Sequence, residues 1–176
     1  MRIISGTFKG RRIKPPQNLP VRPTTDFAKE GLFNLLNNRI DFEEINALDL
    51  FAGTGNITLE LASRGAQRVT SVDINFKCLD FIKKVSRDLK IENIFTVKSN
   101  VISFLERASG SYDLIFADPP YDLEELDKIP NLIFNADILK KDGLFVLEHS
   151  KANKFEDHPR FEEHRKYGNV NFTFFK

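Results

Sequence analysis

Asp118-Pro119-Pro120-Tyr121 is the stretch of this 176-residue chain whose side chains and spacing could do chemistry. It follows the apolar, β-prone run 112–117, which delivers Asp118 to the carboxyl end of a predicted strand, the edge at which open α/β sheets hold ligands. The chemistry it suits is transfer of a small group to the exocyclic amino nitrogen of a nucleobase. That nitrogen is a poor nucleophile because its lone pair is delocalised into the ring. A short polar side chain accepting one N–H bond, with a carbonyl at the Pro-Pro step accepting the other, would turn the lone pair toward an electrophile. Proline fixes φ and offers no N–H, so it stiffens that acceptor at little entropic cost. Tyr121 adds a flat face on which an unstacked base could lie. The competing reading of the same residues is a structural turn that Asp118 begins, the prolines rigidify and Tyr121 fills.

A second motif, Asp49-Leu50-Phe51-Ala52-Gly53-Thr54-Gly55-Asn56, stands between a short apolar run and the helical pattern 57–64. Glycines let the backbone adopt positive φ and approach a ligand closely, but the third glycine of a G-x-G-x-x-G fingerprint is missing, with Leu59 near its place. A pyrophosphate wants helix-terminal N–H groups, whereas S-adenosylmethionine carries a sulfonium, an ammonium and a carboxylate, and Asp49 at the mouth of the loop suits its positive end. Asp73 closes the predicted strand 68–73, about twenty residues past the glycines, the spacing from which an acid reaches ribose hydroxyls in either NAD or S-adenosylmethionine. The Asp-Pro-Pro-Tyr motif favours methyl over hydride chemistry.

These motifs need a sheet to hold them. From residue 47 strands alternate with helices: 47–51, 57–64, 68–73, 76–89, 94–98, 101–107, 112–117, 123–135 and 144–149. Alternation of this kind builds a parallel sheet covered by helices on both faces. Residues 161–166 and 170–175 flank Tyr167-Gly168-Asn169 and read as a terminal hairpin, giving an α/β fold with a seven-stranded sheet and one antiparallel member. The chain is 41% hydrophobic with 17 Phe, enough for one core in which phenylalanine carries the aromatic packing. A single cysteine, Cys78, allows no internal disulfide and reads as a buried small hydrophobe. His149, His158 and His164 lack metal-ligand spacing, so no metal is expected, and His149 reads as a strand-end residue with a local hydrogen bond. The absence of a membrane-spanning apolar run or signal-peptide layout points to a soluble cytoplasmic protein with no membrane partner.

Charge is distributed unevenly. Residues 1–39 hold eight Lys or Arg against two acids, a net +6, while residues 40–176 carry a net −5. A basic end on a mildly acidic body is the pattern expected when one part meets phosphates and the other a cofactor. Arg2-Ile3-Ile4 and Arg12-Ile13-Lys14 predict a small hairpin turning near Gly10, whose Arg2, Lys9, Arg11 and Arg12 would contact RNA; an ordinary solvated edge hairpin competes with that reading. The proline-rich segment 15–26 should run extended, and within it Arg22 and the Thr24-Thr25 pair either face the cleft or pin the linker. Thr24, Thr25 or Asp26 then caps a helix with Phe27, Leu32, Phe33, Leu35 and Leu36 as its apolar stripe.

Taken in order, Arg2-Ile3-Ile4-Ser5-Gly6, Lys9-Gly10-Arg11, Arg22-Pro23-Thr24-Thr25-Asp26, the glycine loop, Asp118-Pro119-Pro120-Tyr121, Glu148-His149 and Tyr167-Gly168 make the chain resemble the RsmD family of bacterial 16S rRNA guanine-N2 methyltransferases over nearly its whole length. The resemblance implies a class I, Rossmann-like methyltransferase fold using S-adenosylmethionine. It also implies a guanosine of 16S rRNA as acceptor, on a partly assembled small subunit, and a monomeric enzyme. Asp49, Phe51, Gly53, Gly55, Asp73, Asn100 and Val101 would hold the cofactor, while Asp118, Pro119, Pro120 and Tyr121 would orient the target base. Residues 1–39, with Arg2, Lys9, Arg11, Arg12 and Arg22, would contact RNA, and residues 40–176 would form the methyltransferase domain. Two positions depart from the family pattern: Asn100 stands where an acid commonly accepts from the adenine amino group, and Asp73 where Glu is frequent. The Asp-Pro-Pro-Tyr chemistry is shared with DNA amino-methyltransferases, though the chain has no room for a separate target-recognition domain. A non-catalytic RNA-binding assembly factor would have no need of Asp118 or Asp73.

Overall fold

The computed structural model describes residues 1–17, 19 and 25–176. Arg22 and Thr24, expected at the cleft or helix cap, lie outside the described residues. The sheet consists of β1 Asn46–Leu50, β2 Arg68–Asp73, β3 Ile94–Lys98, β4 Tyr112–Ala117, β5 Leu139–His149, β6 Phe161–Tyr167 and β7 Val170–Phe175. Its spatial order is β3-β2-β1-β4-β5-β7-β6, with the first five strands parallel and β7 antiparallel to both neighbours, the predicted arrangement. Strand β1 pairs with β2 on one side and β4 on the other, so the crossovers diverge there and leave a crevice beyond the carboxyl ends.

Helices cover both faces, which is why the central strands are apolar almost throughout rather than alternating. Helices α1 Asp26–Leu36 and α2 Asn56–Ser63 contribute Leu32, Phe33 and Leu61 to a core shared with Leu114, Phe116 and Phe172. Helix α3 Phe76–Leu89 starts at the cap Asn75, whose side chain accepts from the Lys77 N–H, and ends at Lys90 in the left-handed region. On the other face α4 Val101–Leu105 and α5 Ile129–Asn135 pack Leu105, Ile129 and Ile133 with Leu50, Phe145 and Phe175. The Phe145 and Phe175 rings stack there, with centroids 5.1 Å apart.

Several expected boundaries move. The helix read over 123–135 divides into a 3-10 turn, Leu126–Lys128, and α5, because Pro130 lacks an N–H and fits only the first helical turn. Strand β5 begins at Leu139, five residues before the predicted start. Its early part, Lys140-Lys141-Asp142, is polar because it reaches past the helical layers, where Lys140 pairs with Asp113 at 2.8 Å. Phe27, expected in the apolar stripe of α1, is 67% exposed and meets the edge of Tyr167, at 6.1 Å.

The amino-terminal segment differs most. The predicted hairpin is short: Arg2 and Arg12 form one antiparallel bridge, flanked by Ile3 N–H to Arg11 O and Ile13 N–H to Met1 O, each 3.0 Å, with Gly10 N–H to Ile3 O at 2.9 Å. Four further N–H groups of the segment, those of Ile4, Ser5, Thr7 and Phe8, go to α2. Those of Ile4 and Ser5 donate to the Glu60 carboxylate at 2.8 and 3.0 Å, and that of Thr7 donates to Ser63 O at 2.7 Å. Gly6, at φ +80°, comes so close that a Cβ would stand 1.8 Å from Ser63 O. Lys29 of α1 is 1% exposed; its ammonium donates to Arg2 O at 2.6 Å and Asn56 Oδ1 at 2.9 Å and pairs with Glu60 at 3.2 Å. Burial pushes its pKa down, and Glu60 opposes the shift. Helix α1 packs in the main core, and segment 1–14 is tied to it and to α2 through Lys29 and Glu60.

Candidate active site

The crevice at the β1–β4 switch is a cleft of about 540 Å³. Its first half is the glycine loop. Phe51 at φ +60°, Gly53 at +51° and Gly55 at +79° turn the chain from β1 into α2. Gly55 works behind the wall, since a Cβ there would stand 2.7 Å from Ile82 Cγ1. The Gly53 N–H donates to Asp73 Oδ2 at 2.8 Å and the Asn75 N–H to Oδ1 at 2.7 Å. Asp73 thus locks the loop against the end of β2. Its expected role toward ribose hydroxyls falls to the remaining lone pairs, since each carboxylate oxygen accepts more than one bond.

Asp49 lies at the floor of the cleft and not at its mouth, because β1 is the central strand and the loop folds over its end. It is 1% exposed. Oδ2 accepts from the Thr58 hydroxyl, which is itself 2.8 Å from Ser71 Oγ. Oδ1 is buried with no hydrogen-bond partner among the described residues. Desolvation pushes the carboxyl up to about 7, against the lowering effect of the Thr58 bonds. A buried carboxylate oxygen without a donor costs free energy until a cation or N–H reaches it, so the floor fits a ligand that brings an ammonium group.

The second half is built on β4 and β5. Ala117 lies opposite Leu147, so Asp118 and Glu148 follow side by side at the strand ends. The Asp118 N–H donates to Leu50 O at 3.3 Å, tying the Asp-Pro-Pro-Tyr loop to β1. Tyr121 is 45% exposed, and its hydroxyl donates to Glu148 Oε1 at 3.3 Å. Asn100 borders the cleft before Val101, but its Oδ1 accepts from the Ser103 N–H at 3.2 Å and caps α4. The adenine contact expected of that oxygen must share it with the helix cap.

The structure brings Asp49, Phe51, Gly53, Asp73, Asn100 and Val101 to the same cleft as Asp118, Pro119, Pro120 and Tyr121. Thr25 does both things the sequence left open for it, lining the cleft while its hydroxyl caps α1 at the Ala28 N–H. Sequence reasoning missed Glu148, Asn56, Asn169 and Val170 as lining residues. Glu148, an acid at a strand end like Asp118, and Asn56, which closes the glycine motif, had legible signals; Asn169 and Val170 reach the cleft only through packing. His149 is buried away from it, with Nδ1 2.8 Å from Ser150 O and Nε2 2.8 Å from Thr173 Oγ1, the local role expected. Cys78 borders the cleft as a buried thiol pushed up to about 11 by desolvation, which suits packing and not nucleophilic attack. Arg2, Lys9, Arg11 and Arg12 are exposed, Arg2 lying 3.8 Å from Asp26.

A switch-point crevice with a glycine loop and strand-end acid on one side and Asp-Pro-Pro-Tyr on the other, in a sheet closed by an antiparallel β7, defines a class I methyltransferase. Within that class the chain belongs to the family described as Conserved hypothetical protein 95, the RsmD family, whose model matches residues 1–176. It is 33% identical over 153 residues to Ribosomal RNA small subunit methyltransferase D of Escherichia coli (strain K12), across 87% of this chain and 76% of that protein. It is 34% identical over 148 residues to the protein of the same name from Buchnera aphidicola subsp. Baizongia pistaciae, across 84% and 75%. A solved hypothetical protein of Thermus thermophilus superposes with TM-score 0.87 at 27% identity, covering 100% of this chain and 99% of that one. The T. thermophilus 16S rRNA N2 G1207 methyltransferase RsmC, solved with AdoMet and guanosine, shares the fold at TM-score 0.70 and 23% identity, over 90% of this chain and 45% of that one. Among the described residues no helix is long and apolar enough to cross a membrane.

Proposed function

We propose that this chain methylates the exocyclic N2 of a guanine in small-subunit ribosomal RNA, using S-adenosylmethionine. The observation that carries the reading is that one cleft holds both the donorless oxygen of Asp49 and the Asp118–Tyr121 loop. When bound, S-adenosylmethionine supplies an electrophilic methyl on a sulfonium that departs as a neutral thioether. Asp49 meets the ammonium of its methionine end, Gly53 and Phe51 lend backbone, and Asp73 and Asn100 serve the ribose and adenine, with Val101 alongside. Asp118 accepts one N–H of the guanine amino group and the carbonyl at Pro119 the other, while Pro120 stiffens the loop and Tyr121 stacks on the base. The rate then comes mainly from proximity and orientation. Asp118 need not be a strong base, because the amino proton becomes acidic only as the N–C bond forms and then passes to the Asp118 carboxylate and on to solvent.

Segment 1–14, with exposed Arg2, Lys9, Arg11 and Arg12, is the RNA-contacting part in this reading, joined by Arg22. The substrate is a partly assembled small subunit in the cytoplasm and the enzyme acts as a monomer. Methyl transfer from labelled S-adenosylmethionine to small subunits lacking the modification, with free 16S rRNA and DNA in parallel and the product nucleoside identified by mass, tests the proposal. N2-methylguanosine on the subunit is the expected product. Cofactor binding without transfer to any acceptor would leave an assembly role without catalysis.

A further inference from the structure

Glu148 is a buried carboxylate, 4% exposed, in the wall of the cleft, yet the methyl-transfer chemistry above does not use it. It stands beside Asp118, because the β4–β5 register aligns Ala117 with Leu147 and both strands deliver an acid at the following position. Both residues line the cleft. The Tyr121 hydroxyl holds Glu148 Oε1 at 3.3 Å, which fixes the carboxylate relative to the ring proposed to stack on the base. Asn169, from the β6–β7 turn, and Val170, the first residue of β7, border the same cleft.

A base lying on Tyr121 with its N2 at Asp118 presents its Watson–Crick edge next to the amino group. In guanine the neighbouring position is N1–H, a donor. In adenine, in cytosine and in 2-aminopurine the ring nitrogen beside the amino group is an acceptor. An ionised carboxylate accepts only, so it bonds the first and repels the others. We infer that Glu148 is the specificity-determining residue of the site, accepting from guanine N1–H while Asp118 holds N2. This inference rests on the guanine-N2 reading of the cleft.

The test uses the full chain with small-subunit particles reconstituted on 16S rRNA carrying either guanine or 2-aminopurine at the mapped acceptor position. Both bases have the same 2-amino group, but 2-aminopurine lacks N1–H. The wild type is expected to prefer guanine strongly. Glu148→Gln should narrow that preference by roughly ten- to a hundred-fold, because the amide can donate to N1 of 2-aminopurine and its neutral oxygen is a weaker acceptor. Tyr121→Phe keeps the carboxylate and removes only the Tyr121 hydroxyl from it, and should retain the wild-type preference whatever its absolute rate. Equal losses on both acceptors in Glu148→Gln, complete loss included, would reduce Glu148 to a support for Tyr121 and overturn the inference. Equal wild-type rates on the two bases would overturn it without touching the proposed reaction. Absence of wild-type transfer to guanine itself would instead strike the reaction on which it rests.

Discussion

The donorless oxygen of Asp49 makes cofactor binding a titration that can be followed. In the ligand-free protein the Asp49 carboxyl ionises near 7, against 3.8 for its ordinary value, because desolvation outweighs the Thr58 hydrogen bonds. An ammonium brought to Oδ1 favours the ionised form and drops the pKa in the complex. At about pH 6 a group with a pKa of about 7 is roughly nine-tenths protonated, so binding should release about 0.9 proton and affinity should be about tenfold below its plateau. The cofactor's own α-amino group stays charged below about pH 7.5, which leaves Asp49 as the titrating partner in that window. Calorimetry of S-adenosylmethionine binding between about pH 5.5 and 7.5, in buffers of different ionisation enthalpy, reads both quantities.

Asp49→Asn should bind more weakly at neutral pH and lose the proton release. The same substitution acts on stability in the opposite direction. Between 3.8 and about 7 the folded chain keeps a proton that the unfolded chain has lost, so the stability of the ligand-free protein falls as pH rises through that window and levels off above it. Asp49→Asn should therefore raise stability above about pH 7, by an amount on the order of a few kcal/mol in urea unfolding, and give no such gain below about pH 4. A pH-independent affinity with no proton exchange would refute the placement of an ammonium at Asp49.

Asp118→Ala should abolish turnover while cofactor affinity stays within about threefold of wild type, and a variant that remains active would remove Asp118 from the chemistry. Lys29→Met leaves Glu60 buried without its ammonium partner, at a cost of about 3–5 kcal/mol in urea unfolding, and should expose segment 1–14 to proteolysis; a cost under about 1 kcal/mol would show that Arg64, whose Nε donates to Glu60 Oε1 at 2.9 Å, and the Ile4 and Ser5 N–H groups satisfy Glu60 alone. Replacing Arg11 and Arg12 with Gln should lower the slope of log affinity for RNA against log salt by about 1.5 to 2, and an unchanged slope would return the segment to an ordinary solvated edge. Gly6→Ala should destabilise the protein and loosen the same segment, since its Cβ would meet Ser63 O at 1.8 Å, as judged by thermal unfolding and amide exchange.

The elements that could be read from local pattern were those whose neighbours in sequence supply the signal. Helix α3 combines an Asn75 cap with an apolar stripe of Cys78, Leu79, Ile82 and Val85, and its limits came out as expected. Strands β2, β3, β4 and β7 also matched, being apolar runs bounded by turns. The first half of β5 was hidden because Lys140, Lys141 and Asp142 have no reason to be apolar where the strand outruns its helical cover. The amino-terminal hairpin came out shorter than alternating Ile and Arg suggests: residues 1–3 pair with 10–13, while α2 offers Glu60 and Ser63 as acceptors for the N–H groups of Ile4, Ser5, Thr7 and Phe8.

Local order along the chain was enough to specify the chemistry, because a strand, a turn and the residue at the strand end are contiguous, and both Asp49-to-Gly55 and Asp118-to-Tyr121 are complete within such units. Folding decided how those units meet. That β4 lies beside β1 brings the two motifs to one crevice, and that β5 follows β4 puts Glu148 beside Asp118 and under the Tyr121 hydroxyl. The sinking of Asp49 to the floor, the Asn169–Val170 wall and the Lys29–Glu60 pair joining segment 1–14 to α2 are likewise products of packing. Desolvation and long-range pairing depend on which surfaces close over a group, and residues far apart in the chain supply those surfaces.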